Sequence, residues 1–396
     1  MLHRYIVMKA LVYHGPKDVR IDDKQKPEIK DKEDIILKVT SSALCGSDLH
    51  LYHGTVQGME PGQTLGHEFM GIVEEIGSSV NEVKKGDRVV IPFNISCGNC
   101  WFCRHELWSQ CDRSNPNAEF GAAFGYTQLM GGYDGGQAEY VRVPFANTGA
   151  LKIPDTISND EQVLFLSDIL PTGYFGADIA NVQPGDDVVV FGAGPVGYFA
   201  VLSSFLRGAA RVFCIDHWPA RLLKVKDLGA EIINFDDNDP VTIIKKETNG
   251  KGAICIDAVG YEAVGHMSKQ NDNGSSYKGH DHSKVTDPAY EPPSPLQVIN
   301  WMCQTARKYS TISIPGVYGS NYDKFPLGQI FNKELQIRLG QCPVKKYNEQ
   351  LLHLIEVGRI KPEPLISHIM KLDDAPKAYE MFDRKEDVTK VVFKTN

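Results

Sequence analysis

Cys45, Ser47, Asp48, His50, His67 and Glu68 all fall between Ala43 and Gly71, and a soft thiolate beside an imidazole is donor chemistry suited to zinc. Gly66 and Gly71 flank the His67-Glu68 pair, which lets backbone pass close to a bulky centre. A lone buried cysteine is usually packing, so the weight comes from its company. Cys97, Cys100 and Cys103 form two interlocked C-x-x-C steps, and Cys111 follows eight residues later. Four thiolates at that spacing close a tetrahedral shell with Zn–S distances of about 2.3 Å and leave no place for substrate. The lobe 95–113 is therefore expected to hold a structural zinc that pins a segment lacking its own core. Asp168 sits in the apolar run Ser167-Asp168-Ile169-Leu170-Pro171-Thr172-Gly173. A buried carboxylate needs a partner, and either a metal ion or a helix terminus would answer.

A second kind of chemistry begins at the apolar strand Asp187-Val188-Val189-Val190-Phe191. It runs directly into Gly192-Ala193-Gly194-Pro195-Val196-Gly197 and an apolar helix from Tyr198 to Leu206. A G-x-G-x-x-G motif is informative in this strand-to-helix setting, where the glycines allow a tight turn and the helix N-terminus meets a pyrophosphate. The next strand, Arg211 to Ile215, ends at Asp216. A carboxylate there accepts hydrogen bonds from ribose hydroxyls and repels a 2′-phosphate, which points to NAD rather than NADP. His217 and Arg221 soften that preference by offering cations nearby.

The elements that must position these groups are of two kinds. From Met8 to Asn94 the pattern is short β-branched strands broken by Gly and Pro: Lys9–Tyr13, Asp34–Val39, Gly71–Gly77 and Arg88–Ile91. The Cys45 and His67 segments are then connections projecting from antiparallel structure. The Gly-rich segment 115–154 reads as surface loop ending in a strand at Tyr140–Val143, and 160–178 reads as one helix. After Asp187, strands alternate with helices through Ala253–Asp257 and Thr311–Gly316, which predicts a parallel sheet. The polar stretch 268–295 is too long for an ordinary connection and reads as either a disordered surface insertion or a functional lid, an ordered lid being favoured because it leaves the sheet near the expected cofactor edge. A helix at 347–358 and a last strand at 390–393 return to the first domain, since so short a tail cannot bury a core of its own. At 396 residues the chain has room for two or three domains. A net charge of -8 without a basic block argues against nucleic acid or an anionic membrane as partner. The first residues lack the pattern of a signal peptide and nothing reads as a membrane span, so the cytoplasm is expected, where thiols with metal spacing stay reduced.

Taken together, Cys45-Gly46-Ser47-Asp48-Leu49-His50, Gly66-His67-Glu68, the four-cysteine lobe and the Gly192 loop resemble the zinc-dependent medium-chain alcohol dehydrogenases, from Met8 onward. Ser167 to Gly173, with Asp168 where many members carry Cys, is similar to the glutathione-independent formaldehyde dehydrogenase branch, as is the insertion after Glu262. The resemblance implies an α/β protein of two domains. One is a GroES-like, mostly antiparallel β catalytic domain (1–170 plus 341–396), and the other a Rossmann doubly wound parallel-sheet coenzyme domain (171–340). It implies two zinc ions per chain, the catalytic one held by Cys45, His67 and Asp168, with Glu68 able to exchange on and off and Asp48 orienting His67. It assigns a proton path to Ser47 and to His50, placed near solvent. It assigns NAD to Gly46, Ser47, His50, Gly192, Gly194, Pro195, Val196, Gly197, Asp216, Arg221, Val259, His266, Pro315, Val317, Gly340 and Cys342, although some relatives carry a basic residue at the position of Gly46. The implied reaction is hydride transfer between NAD and a small alcohol or aldehyde hydrate, formaldehyde dehydrogenase- or dismutase-like, in a homotetramer. A polyol or amino-alcohol dehydrogenase and a catalytically silent cofactor-binding protein are the alternatives.

Overall fold

Strand Ile35–Leu44 buries eight of its ten residues, leaving only Lys38 exposed and Thr40 half-buried, and such a run stabilises a strand covered on both faces. In this computed structural model, which describes residues 6–261, 263, 295–319, 322–385 and 387–395, it is the central strand of a seven-stranded sheet. It pairs antiparallel with Glu68–Ile76, with Val391–Lys394 and, along its first residues, with Tyr140–Val143. Arg88–Ile91 and Leu151–Lys152 extend one edge, while His368–Lys371, parallel to Val391–Lys394, forms the other. The register sets Ala43 opposite Glu68 and Leu44 opposite Val391, so residues 45, 67, 68 and 390 converge at one end of the sheet. Beside the sheet, Phe69 and Phe124 meet edge to face at 5.2 Å, a geometry worth about 0.5–1.5 kcal/mol beyond burial.

Cα packing divides the chain into two compact units, Met1–Pro171 with Cys342–Asn396 and Thr172–Gln341. The second carries six parallel strands in the spatial order Glu231–Asn234, Arg211–Asp216, Asp187–Phe191, Ile254–Asp257, Thr311–Ile314, Gln336–Leu339. Counted within the unit this is the doubly wound order 3-2-1-4-5-6. Its switch point lies between Asp187–Phe191 and Ile254–Asp257, where such sheets bind ligands at their carboxyl ends. Among the described residues no helix is long and apolar enough to cross a membrane.

Two sequence expectations change and a third falls outside the described residues. Residues 160–178 are not one helix: two 3-10 turns, Asp160–Gln162 and Leu164–Ser167, precede helix Ile169–Ile179. Asp168, between them at φ -155 and ψ -79, departs from helical geometry and breaks the run. The segment 115–154 is more than surface loop, because Ala122–Ala123 pairs with Asn94–Ile95 and Gln137 and Ala138 are fully buried. Its glycines make that close packing possible: a Cβ on Gly136 would stand 2.1 Å from Phe69 Cγ. Of the expected lid 268–295, all but Pro295 lies outside the described residues.

Candidate metal and cofactor sites

Cys45 ends strand Ile35–Leu44 and, with an extended backbone, caps the short helix Gly46–Tyr52. Asp48, three residues on, accepts the Cys45 N–H at 2.9 Å, which fixes where the thiol points. His67 enters from the start of the neighbouring strand. Its Nδ1 lies 3.1 Å from Asp48 Oδ1, too far off line for a hydrogen bond, and its Nε2 lies 3.2 Å from Asp168 Oδ2. Cys45 Sγ is 3.8 Å from that same oxygen. The ligand-type atoms of Cys45, His67, Glu68 and Asp168 all lie within 4.8 Å of one another, and all four residues are buried. With bonds of about 2.3 Å to sulfur and about 2.1 Å to nitrogen or oxygen, a tetrahedral zinc would set S···O near 3.6 Å and N···O near 3.4 Å. The observed separations match those edges.

The electrostatics fit a cation equally well. Burial, and then the Glu68 carboxylate, push the Cys45 thiol up. Burial likewise raises Glu68. Burial works against the charged form of His67, yet the Asp48 and Cys45 charges outweigh it and hold the imidazole well above its ordinary range. Groups that disfavour one another's anionic forms, and draw positive charge onto the only base among them, are relieved together by a divalent ion.

Three supporting residues escaped the sequence reading. Gln137 Nε2 donates to Ala43 O at 3.2 Å and approaches Asp48 Oδ2 at 3.5 Å, and Tyr379 Oη donates to Gln137 Oε1 at 2.8 Å. This buried chain braces Asp48 from behind. It also explains Gly66: at φ +94, a Cβ there would meet Gln137 Cγ at 2.3 Å. Lys390 Nζ lies 2.7 Å from Glu68 Oε1, with both side chains fully buried. A lysine opening an otherwise apolar strand was a usable signal for Lys390; nothing local marks Tyr379. His50 differs from expectation as well. It is buried at 7% exposure in the last turn of helix Gly46–Tyr52, among buried Leu49, Leu51 and Tyr52, rather than near solvent. Ser47 is half-buried, its Oγ 3.8 Å from Cys45 Sγ, and Gly46 is exposed with open space where a Cβ would point.

The second cluster is the lobe of Cys97, Cys100, Cys103 and Cys111. Cys97 Sγ to Cys103 Sγ is 4.0 Å and Cys100 Sγ to Cys111 Sγ is 3.8 Å, against about 3.8 Å for the edge of a Zn–S tetrahedron. Backbone N–H groups of Cys97 and Cys100 point at Cys111 Sγ and Cys97 Sγ, both at 3.3 Å, as donors to thiolates do. The Cys103 thiol draws Cys111 down to about 4, and its own pKa rises in return. None of the nine cysteines forms a disulfide.

In the second unit the loop after Asp187–Phe191 is shaped for close approach. Gly192 sits at φ +92, and a Cβ on Gly197 would lie 1.9 Å from Gly192 O, so neither position admits a side chain. Gly194 caps helix Pro195–Leu206, with Pro195 at its first position and Val196 half-buried beside it. Arg221 reaches over the loop, its Nη1 3.8 Å from where a Gly194 Cβ would stand. Asp216 Oδ2 accepts from Ala193 N at 2.7 Å, while Oδ1 accepts from His217 N at 2.6 Å and Trp218 N at 2.9 Å. The carboxylate is thus clamped at the end of its strand. Val259, Pro315 and Val317 follow the carboxyl ends of Ile254–Asp257 and Thr311–Ile314, and Gly340 follows Gln336–Leu339. Cys342 is buried in the first unit, and His266 lies outside the described residues.

Comparisons with known proteins agree with this arrangement. Residues 31–155 match the alcohol dehydrogenase GroES-like domain. A zinc-type alcohol dehydrogenase-like protein of Bacillus subtilis, AdhB, is 45% identical over 98% of this chain and 100% of its own. A glutathione-independent formaldehyde dehydrogenase of Pseudomonas aeruginosa is 38% identical over 95% of this chain and 94% of its own. Among solved structures, alcohol dehydrogenase TADH from Thermus sp. ATN1 superposes with a TM-score of 0.83 at 34% identity, covering 98% of this chain and 99% of that one. Likeness of that degree, over nearly the whole length of each partner and in both units, means that the chain belongs to the zinc-dependent medium-chain alcohol dehydrogenases and is an enzyme of that family.

Proposed function

We propose that this protein is an NAD-dependent oxidoreductase for a small alcohol or an aldehyde hydrate, with formaldehyde in its hydrated form the leading candidate. The observation that carries the reading is the buried triangle of Cys45, His67 and Asp168, three donors at tetrahedral spacing. It is supported by the likeness to the formaldehyde dehydrogenase of P. aeruginosa. Bound there, zinc would supply the positive charge that makes a substrate hydroxyl acidic, and NAD would supply the hydride acceptor.

The chain's own residues do the rest. Cys45, His67 and Asp168 hold the metal position, and Asp48, braced by Gln137 and Tyr379, orients His67 and the Cys45 loop. Ser47 and His50, three residues apart on one helix, lie on a common face, and we assign them the substrate proton. Gly192, Gly194 and Gly197 admit the pyrophosphate, Arg221 faces it with positive charge, and the clamped Asp216 receives the ribose. The Cys97 to Cys111 lobe is assigned a second, structural zinc. We place the protein in the cytoplasm as a homotetramer. Leu327, Phe331 and Leu339, 65%, 79% and 67% exposed on and beside the sheet's edge strand, support self-association, and light scattering should give four times 44.0 kDa.

The test is NADH formation across formaldehyde, short primary alcohols, secondary alcohols and polyols, with metal content measured on the same sample. Turnover favouring formaldehyde or short primary alcohols is expected. Turnover only with polyols, or none with any substrate despite bound zinc, would overturn the assignment.

A further inference from the structure

The parallel sheet of the second unit has two ends, and the loops assigned to the cofactor occupy only one of them. At the other end, strands Ile254–Asp257, Thr311–Ile314 and Gln336–Leu339 begin. Their first residues, with Arg307, Arg338 and the loop 181–186, line a cavity of about 440 Å³. Sites for small molecules run from about 300 to 1,000 Å³. Strand Asp187–Phe191, five residues long at about 3.3 Å each, puts about 15 Å between this end and the Gly192 loop.

The lining is rich in donors that the fold leaves unused. Arg307 Nη1 donates to Asp186 Oδ1 at 2.9 Å, and the rest of its guanidinium makes no hydrogen bond among the described residues. The Arg338 side chain makes neither an ion pair nor a hydrogen bond among them. It stands two residues from Gln336 on one face of the edge strand, while Ile337 between them packs against the apolar core. Thr311 is 8% exposed, and its hydroxyl has no hydrogen-bond partner among the described residues. Asp186 is the sole acid of the lining, and its Oδ2 is already taken by Gln183 N at 2.9 Å. Two guanidinium groups against one carboxylate leave the cavity net positive in a chain whose own charge is -8. Strain marks both walls: Asn181 at φ +57 and Tyr309 at φ +62 are left-handed, a conformation that an aromatic residue holds only where its surroundings impose it. An exposed arginine by itself is only solvated. Here two of them share a concave wall with a buried, unpartnered hydroxyl, and planar guanidinium forks match the oxygens of a phosphate or carboxylate.

We propose that this cavity is a second ligand site, which takes a small oxyanion, a metabolite bearing phosphate or carboxylate, on Arg307 and Arg338 with the Thr311 hydroxyl as a further donor. The proposal goes beyond the dehydrogenase reading and needs neither zinc nor the substrate assignment. A ligand there ties the loop that enters strand Asp187–Phe191 to the edge strand Gln336–Leu339.

The experiment is calorimetric titration of the full-length enzyme, saturated with NADH so that the Gly192 loop is filled, with inorganic phosphate, glycerol 3-phosphate and succinate. Sodium chloride at matched ionic strength is the blank. Saturable binding of at least one of the three, one per chain, is expected. Arg338→Gln should weaken it about tenfold or more, the worth of a charge-assisted hydrogen bond, and Thr311→Val by about threefold. The bound oxyanion should also raise the Tm of the wild type and not that of Arg338→Gln. Preference for the two phosphates identifies a phosphorylated ligand, and preference for succinate a carboxylate. Arg338 is exposed and unpaired, so Arg338→Gln should fold as the wild type does, whereas a change at Arg307 would also release Asp186. No saturable binding of any probe, or the same affinity in Arg338→Gln as in the wild type, overturns the proposal.

Discussion

Asp168→Ala is expected to lower kcat/KM by about 10³-fold or more and to reduce zinc from two ions per chain to one. Its Oδ2 is the atom on which the site closes, 3.2 Å from His67 Nε2 and 3.8 Å from Cys45 Sγ. Metal-ion polarisation contributes several kcal/mol to a transition state, and each 1.36 kcal/mol is tenfold in rate, which sets that scale. The folded core should survive, because Asp168 sits between two short elements anchored by their own backbone: Phe93 N bonds Ser167 O at 2.8 Å, and helix Ile169–Ile179 follows. Asp168→Cys returns a donor and should recover zinc and part of the rate. The thiolate is softer, so the ion should be less electrophilic and turnover lower than with the native carboxylate. Metal analysis with steady-state kinetics checks both. Full activity in Asp168→Ala would remove Asp168 from the site.

Cys111→Ser acts on the other cluster and should move stability before chemistry. Cys111 Sγ is approached by Cys100 Sγ at 3.8 Å and by the Cys97 N–H at 3.3 Å, and its thiolate is the one most stabilised in the lobe. The lobe has almost no other core: its apolar cluster is the cysteines themselves with Trp108 and Phe145. Structural zinc supplies about 10–16 kcal/mol to peptides that cannot fold without it. If ~4 kcal/mol of that reaches the stability of the first unit, Tm falls by about 10 °C for a unit of that size. Calorimetry, paired with a zinc count reduced by one, checks the prediction, and an unchanged Tm would show that the lobe stands without metal.

What the sequence made legible follows from how local each signal is. The cysteine lobe is spelled within fifteen consecutive residues, and the nucleotide loop within six, bounded by a strand and a helix that the structure places at Asp187–Phe191 and Pro195–Leu206. Strands Arg88–Ile91 and Tyr140–Val143 were readable from β-branched residues bounded by turns. The Cys45, His67 and Asp168 constellation is a long-range object. Residue types alone left Asp168 between a helix terminus and a ligand, and only the family resemblance joined it to Cys45. The parts that sequence missed are those whose meaning is set by register. Lys390 matters because Val391 falls opposite Leu44, and Gln137 because two preceding glycines let its segment run against the first-unit core. The break at Asp168 was hidden because apolar residues continue on both sides of it, and only a backbone departure from helical angles turns the carboxylate aside. His50 was expected near solvent on the strength of the family resemblance, whereas its short helix buries nearly every side chain after Ser47.

The central claim is that Cys45, His67 and Asp168 share one metal ion. Anomalous scattering at the zinc absorption edge, from crystals of the purified enzyme, tests it most directly. Two peaks per chain are predicted, one within the four-cysteine lobe and one about 2.0–2.3 Å from Cys45 Sγ, His67 Nε2 and an Asp168 carboxylate oxygen. A single peak in the lobe, with the Cys45 site empty in enzyme that turns over, would contradict the account.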